Sequence, residues 1–239
     1  MDRLFSFTAG SSEMSQDFFP PIQLDTNYSY SLGLFSLNTY NSIPNIVNNV
    51  NNKFCYKQTP DAPQPICISL PEGSYELEEI EIHIFRELKK RHGNDVKFTL
   101  KPNTVTLKVE LFCSFIVLNN SKDSIMHLLG FSKSEFQNNT SHSSDLFVQI
   151  TSVNEINIEC NIVEGSFRNG QPCHTLFSFY PDVPPGYKIS ILPTNILYLP
   201  INTRTINNIT LRLTDQKGNL INFRGEEITI QLNLRKIWD

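Results

Sequence analysis

Charge is scarce in this chain: Asp, Glu, Lys and Arg together make up 18% of its 239 residues, and the formal net charge is -4. With no basic field to hold a phosphate backbone, direct nucleic-acid binding is not expected. No apolar run is long enough to span a bilayer, so no membrane partner is expected either. The N-terminal stretch carries Asp2 and lacks the apolar core of a secretory signal, which points to a soluble protein made inside the cell. The five cysteines (Cys55, Cys67, Cys113, Cys160 and Cys173) are scattered singly, odd in number and without a C-x-x-C pair. They read as neither a disulfide framework nor a zinc site, and they fit a reducing compartment.

Catalytic signatures are missing as well. There is no Gly-rich phosphate loop, no G-x-S-x-G elbow and no H-E-x-x-H pair. Cys173 and His174 are adjacent, but neighbours on a strand point to opposite faces and cannot form a nucleophile and base pair. His83, His92, His127 and His142 are isolated and lack metal-ligand spacing. Glu72, Glu76, Glu78, Glu79 and Glu81 cluster where a helix begins, and a solvated helix N-terminus accounts for them. The sequons at Asn27, Asn119, Asn138, Asn139 and Asn208 are chance matches in an Asn-rich chain. No enzymatic activity, cofactor or metal is expected.

What is present is apolar material arranged for strands. Aromatic content is 11%, with 17 Phe, and the polar remainder leans to Asn, Ser and Thr. Alternation is strongest at the C-terminal end, where Ile209, Leu211 and Leu213 are followed by Ile228, Ile230, Leu232 and Leu234, with turns at 215–218 and 224–226. This stretch is expected to be a meander covered by another sheet, since an isolated ribbon is marginal in water. Further strands are expected over 27–40 (Leu32, Leu34 and Leu37 inward), 66–70, 96–100, 105–111, 115–118, 146–150, 156–162, 175–179, 187–192 and 196–199. Lys101-Pro102-Asn103-Thr104 reads as a hairpin turn and 136–144 as a loop.

Two helical segments interrupt this pattern. Leu77, Ile80, Ile84 and Leu88 recur at helical spacing, with Ser74 as candidate N-cap, basic residues in the last turn and Gly93 as terminator. A brief second helix is expected over 122–129, ended by Gly130-Phe131. The fold class is therefore mainly β: an antiparallel jelly-roll β-sandwich with one or two short helices inserted in the first half.

Residues 1–26, with turn-forming Gly10-Ser11-Ser12 and an extended Pro20-Pro21, are expected to form an N-terminal arm, either a frayed end or one whose Phe5, Phe7, Phe18 and Phe19 dock on something, and residues 27–239 the jelly-roll domain. Two subdomains, 27–150 with the helices and 151–239 all strand, are the alternative division. Arg224 and Glu226 are further candidate assembly contacts, although a plain charged turn explains them more simply. The runner-up to a self-assembling protein is a lectin-like or fibre-like binding module. The lone Trp238 gives glycan stacking little help.

Three segments together carry a resemblance: Tyr40 to Ile46 with Asn51 to Phe54, then Leu128 to Phe131, then the run from Ile156 to Leu234 that includes Gly165-Ser166, Asn169-Gly170-Gln171-Pro172, Val183-Pro184-Pro185-Gly186-Tyr187 and Tyr198 to Asn202. The chain resembles the minor capsid (penton) proteins of Polinton or Maverick elements and adintoviruses. That resemblance implies a structural jelly-roll protein of the virion that assembles as a homopentamer at icosahedral vertices. Its partners would be itself and a double jelly-roll major capsid protein. A minimal jelly roll has eight strands, and the surplus implies either insertions in the first half or two β domains.

Overall fold

The computed structural model describes residues 2–148, 150 and 153–237. In chain order, its first elements are β1 (Arg3–Ala9), β2 (Glu13–Gln23), β3 (Ser29–Tyr40), β4 (Lys53–Lys57), β5 (Ile66–Ser69) and α1 (Leu77–His92). There follow β6 (Phe98–Asn103), β7 (Lys108–Cys113), β8 (Ile116–Leu118), a 3-10 turn (Ile125–His127), β9 (Glu135–Phe136) and β10 (Ser141–Ser143). The last elements are β11 (Ile156–Cys160), β12 (Ser166–Arg168), β13 (Gln171–Cys173), β14 (Thr175–Phe179), β15 (Lys188–Ile191), β16 (Leu199–Pro200), β17 (Thr205–Thr214) and β18 (Ile228–Ile237). Two compact units result, one of Met1–Ile43 with Val153–Asp239 and one of Pro44–Ser152. No helix among the described residues is long and apolar enough to cross a membrane.

The first unit holds two four-strand antiparallel paths, β1-β18-β3-β15 and β14-β11-β17-β2, with the short β16 also paired to β3. Taken in chain order, eight strands pair first with last (β1 with β18), second with seventh (β2 with β17), third with sixth (β3 with β15) and fourth with fifth (β11 with β14). That is one long hairpin rolled up, closed by the additional pairs β18 with β3 and β11 with β17. This double Greek-key connectivity is the jelly roll. Alternation supplies its core: Leu211 and Leu213 from one sheet and Ile230, Leu232 and Leu234 from the other are at most 1% exposed. On β3 the inward set changes phase, from Leu32 and Leu34 to Leu37. A β-bulge opposite Gln231 and Leu232 inserts the extra residue and turns Phe35 outward.

Three expectations change here. The C-terminal strands form as expected but are not a meander: β17 and β18 lie in different sheets, and the linking residues carry buried Ile221 and Phe223. Residues 1–26 are not a detached arm. They contain β1 and β2, because Phe5, Phe7 and Met14 alternate inward and are buried in the core. Nor does the chain divide once near residue 150: the second unit is inserted between the third and fourth jelly-roll strands and supplies most of the surplus strands, β4 to β10, the short β12, β13 and β16 being additions to the roll itself.

The second unit packs α1 and the sheets β5-β4-β8-β9 and β10-β7-β6 around a separate core that includes Phe54, Tyr56, Ile80, Ile84 and Phe131. The cap of α1 is Glu76 rather than Ser74. Its side chain meets the N3 backbone while Glu79 Oε2 accepts from the Glu76 amide at 2.8 Å, a reciprocal capping box. The β6–β7 turn falls at 104–107, so Pro102 lies within β6, an edge strand where its missing N–H is tolerated. The expected second helix is reduced to the 3-10 turn capped by the Ser124 hydroxyl. The expected loop at 136–144 contains β10 and the end of β9. The described residues of the expected strand at 146–150 do not form one, and Gln149 lies outside the description.

Cys55 and Cys67 form a disulfide, against the reading of five unpaired thiols. They lie directly opposite each other on β4 and β5, which spacing along the chain alone does not reveal. The bond removes the ground for inferring a reducing compartment. It closes a short loop, so reduction is expected to cost this unit about 2–3 kcal/mol. A lower urea midpoint with reductant, absent in a Cys55→Ser, Cys67→Ser double variant, would show it.

Burial holds the His83 and His92 rings below the usual histidine range, with Arg86 adding to the effect at the first and Arg91 at the second. The unfolded chain then takes up protons near pH 6.5 that the folded chain resists. Both groups therefore contribute stability that is fully present above that pH and is lost as the pH falls from there through their lower folded-state values. The urea midpoint of the second unit is expected to drop between pH 7.5 and pH 5.5, and less so in a His92→Gln variant.

Candidate assembly surfaces

The outward faces of the jelly roll are tiled with uncharged polar side chains bonded across strands. On one sheet Ser36 Oγ donates to Gln231 Oε1 at 2.9 Å and Ser190 Oγ to Asn38 Oδ1 at 3.0 Å. On the other, Asn208 Nδ2 donates to Ser15 Oγ and Asp17 Oδ1, both at 2.7 Å, and Thr210 Oγ1 donates to Asn208 Oδ1 at 2.7 Å. Alternation puts these residues outside because their neighbours fill the core. Glu159 on this second sheet stands between Arg168 at 3.8 Å and Arg212 at 3.5 Å and accepts from Thr214 Oγ1 at 3.0 Å. The carboxylate orients the Arg168 fork, while solvent screening keeps the pairs themselves weak.

The sandwich has two lateral edges. β1 and β2 end the sheet paths on one side, and β15 and β14 end them on the other, where β16 also adds to β3. Charge differs between the edges. No Lys or Arg occurs over residues 4–52, so β2 offers Glu13 and Asp17, both exposed, with no cation of its own. Arg3 is the one cation on β1 and β2, and the opposite side carries Lys188 on β15 and Arg168 on β12.

On this second side lies a recess of about 650 Å³. Its walls include Thr175 to Ser178 in sequence; four consecutive strand residues can line one recess only if it runs along the strand's open backbone edge. Leu197 and Phe167 contribute apolar surface, and Phe167 is 70% exposed beside the tight turn at Asn169 and Gly170. Leu197 belongs to a strap, 196–198, held against Gly33 of β3. A Cβ at Gly33 would stand 2.4 Å from Ile196 Cγ2 and 2.9 Å from the Leu197 carbonyl oxygen, so only glycine lets the strap lie this close. Tyr198 fixes its end, donating to Asn233 Oδ1 at 2.9 Å under the Arg235 guanidinium.

The sequence-derived assembly residues separate. Phe5 and Phe7 are core residues, 8% and 4% exposed, which corrects their reading as docking contacts. Phe18 is half-buried and edge-on to Phe5, with ring centroids 5.5 Å apart. Phe19 is 99% exposed on β2. Arg224 and Glu226 are exposed in a turn where the Asn222 side chain accepts from the Arg224 amide at 2.8 Å and Glu226 N–H bonds the Phe223 carbonyl at 3.1 Å. Trp238 lies outside the described residues. Alternation and turn spotting missed the recess, since Arg168-Asn169-Gly170 signals only a turn and gives no sign that Phe167 stands beside an open strand edge.

The lone sulfur and imidazole pair resolves into separate contacts. Burial alone would raise the Cys173 thiol, but hydrogen bonds with Ser166 and Thr175 and the nearby Arg168 charge bring it below its ordinary value. His174 Nδ1 is 2.6 Å from the Val163 carbonyl, to which it donates. Cys113 and Cys160 are core thiols, each pushed up to about 11 chiefly by burial.

The chain is a single jelly-roll protein with a second unit inserted between the third and fourth strands of the roll. The chain matches no family model and no curated protein by sequence. Among solved structures it is similar to the crystal structure of the mavirus penton protein, with a TM-score of 0.52 and 12% identity over 99% of this chain and 100% of that one. At that identity the likeness establishes the fold.

Proposed function

We propose that this chain is a structural minor capsid protein of the penton type. It self-assembles as a homopentamer and occupies the five-fold vertices of an icosahedral shell built from a double jelly-roll major capsid protein. The observation that carries the reading is the likeness to a penton protein along the full length of both chains, inserted unit included. The motifs that resemble Polinton and adintovirus minor capsid proteins support it, as do faces on which Asn, Ser, Thr and Gln predominate and Glu159 stands paired with Arg168 and Arg212, so that another protein can cover them with few unpaired charges. In this role it works by shape and contact rather than by catalysis, and its place is the virion.

Light scattering behind a sizing column, over a range of protein and salt concentrations, tests the self-assembly. The expected result is one species with five times the 27.4 kDa mass of a single chain. A monomer at every concentration would overturn it.

A further inference from the structure

We infer that copies of this chain join edge to edge, with the β2 edge of one seated on the β14 edge of the next and Phe19 entering the recess beside Phe167. This rests on the self-assembly reading and names the surfaces that reading leaves open. A closed ring of identical subunits needs a heterologous contact, in which two different patches meet and lie on different sides of each copy. The two lateral edges of the jelly roll satisfy that condition: they end the same two sheets on opposite sides.

Their chemistry is complementary. One edge presents Glu13 and Asp17 around Phe19, a large apolar side chain 99% exposed on a strand. The other presents a recess of about 650 Å³ with Phe167 and Leu197 on its walls and both Arg168 and Glu155 in its lining, while Lys188 stands on β15, the edge strand of the facing sheet. A phenyl ring in such a pocket loses its contact with water, and Arg168 and Lys188 on this side favour the approach of an edge that carries Glu13 and Asp17. Pro20 and Pro21 follow Phe19 and have no N–H to donate, which limits ladder pairing at this end of β2 and leaves the side chain to make the contact. The occupant of the recess is therefore a second copy of this chain.

The test uses full-length Phe19→Ser and Phe167→Ser variants, whose thermal midpoints should match the parent because both side chains are largely outside the fold. Each variant alone is expected to raise the concentration for half-assembly about tenfold or more, equivalent to ~1.4 kcal/mol. An equimolar mixture retains one intact edge pairing per couple, the Phe19 of one variant with the recess of the other. It should give a heterodimer in native mass spectrometry that neither variant forms alone. If the parent assembles and both variants assemble equally well, or if the mixture behaves as either variant alone, the edge contact is overturned while self-assembly stands. If the parent is monomeric at every concentration, both fail.

Discussion

Removing residues 1–26 is expected to destroy the jelly roll rather than to release a dispensable arm. The deletion takes away β1 and β2, leaving β18 and β17, ten residues each, with open ladders. It also strips Phe5, Phe7, Met14 and Leu24 from the core, where none is more than 8% exposed. Burial of such side chains is worth about 1.5–3 kcal/mol each. Their sum matches much of the roughly 5–15 kcal/mol that holds a whole domain together. The truncated chain should lose the cooperative thermal transition of the first unit and aggregate through its bare strand edges. A milder version separates core from surface: Phe7→Ala should cost about 3–5 kcal/mol, whereas Phe19→Ser should stay within about 0.5 kcal/mol. A truncated chain that melts like the full-length one would show that β1 and β2 do not belong to the core.

Gly130→Ala is expected to be the most damaging single small substitution in the second unit. Gly130 has φ of +82°, a left-handed conformation, and a Cβ there would stand 2.4 Å from the Leu146 carbonyl oxygen and 2.9 Å from that of Phe147. Those atoms cannot swing aside like a side-chain tip, because the Gly130 carbonyl holds the same segment, accepting from the Asp145 and Leu146 amides at 3.0 and 2.9 Å. Left-handed strain of about 1–2 kcal/mol adds to an overpacking cost of about 1–3 kcal/mol. Urea unfolding should therefore show a loss of roughly 3 kcal/mol or more for the unit that contains it. Gly218→Ala is the useful contrast: φ is +85° but nothing lies within 4 Å, so only the conformational part remains. Equal losses at the two positions would rule out the close approach of 145–147 to Gly130.

Alternation made the jelly-roll strands legible because each sheet buries one face, so Leu211, Leu213, Leu232 and Leu234 declare themselves two residues apart. The same signal places a strand without naming its partner, which is why β17 and β18 read as neighbours although they lie in opposite sheets. Two inward-facing strands give the same pattern whichever sheet they join. The first 26 residues were misread for a related reason: turn-forming Gly10-Ser11-Ser12 and the Pro pair suggested a loose end, while Phe5 and Phe7 pointed inward with strand period. The disulfide is a property of β4–β5 register, which chain spacing does not encode. That Phe19 is exposed while Phe5 and Phe7 are buried was not legible, and neither was the recess, since it arises from the approach of strap 196–198 and the β12–β13 hairpin to β14.

The position of β18 has a consequence for how the protein is made. β18 lies between β1 and β3 and pairs with both, yet among the strands of the jelly roll it is made last. All strand pairs of the second unit lie within 44–152, so that unit can close while the chain is still growing. β1 and β3 must wait for roughly two hundred residues of synthesis, about 10–40 s at 5–20 residues per second. During that interval the strands that carry Phe5, Phe7, Leu32, Leu34 and Leu37 lack the partner that joins them into one sheet. Translation speed therefore sets how long each nascent chain stays open to wrong partners, and in a crowded polysome the nearest wrong partner is another copy of the same unfinished protein.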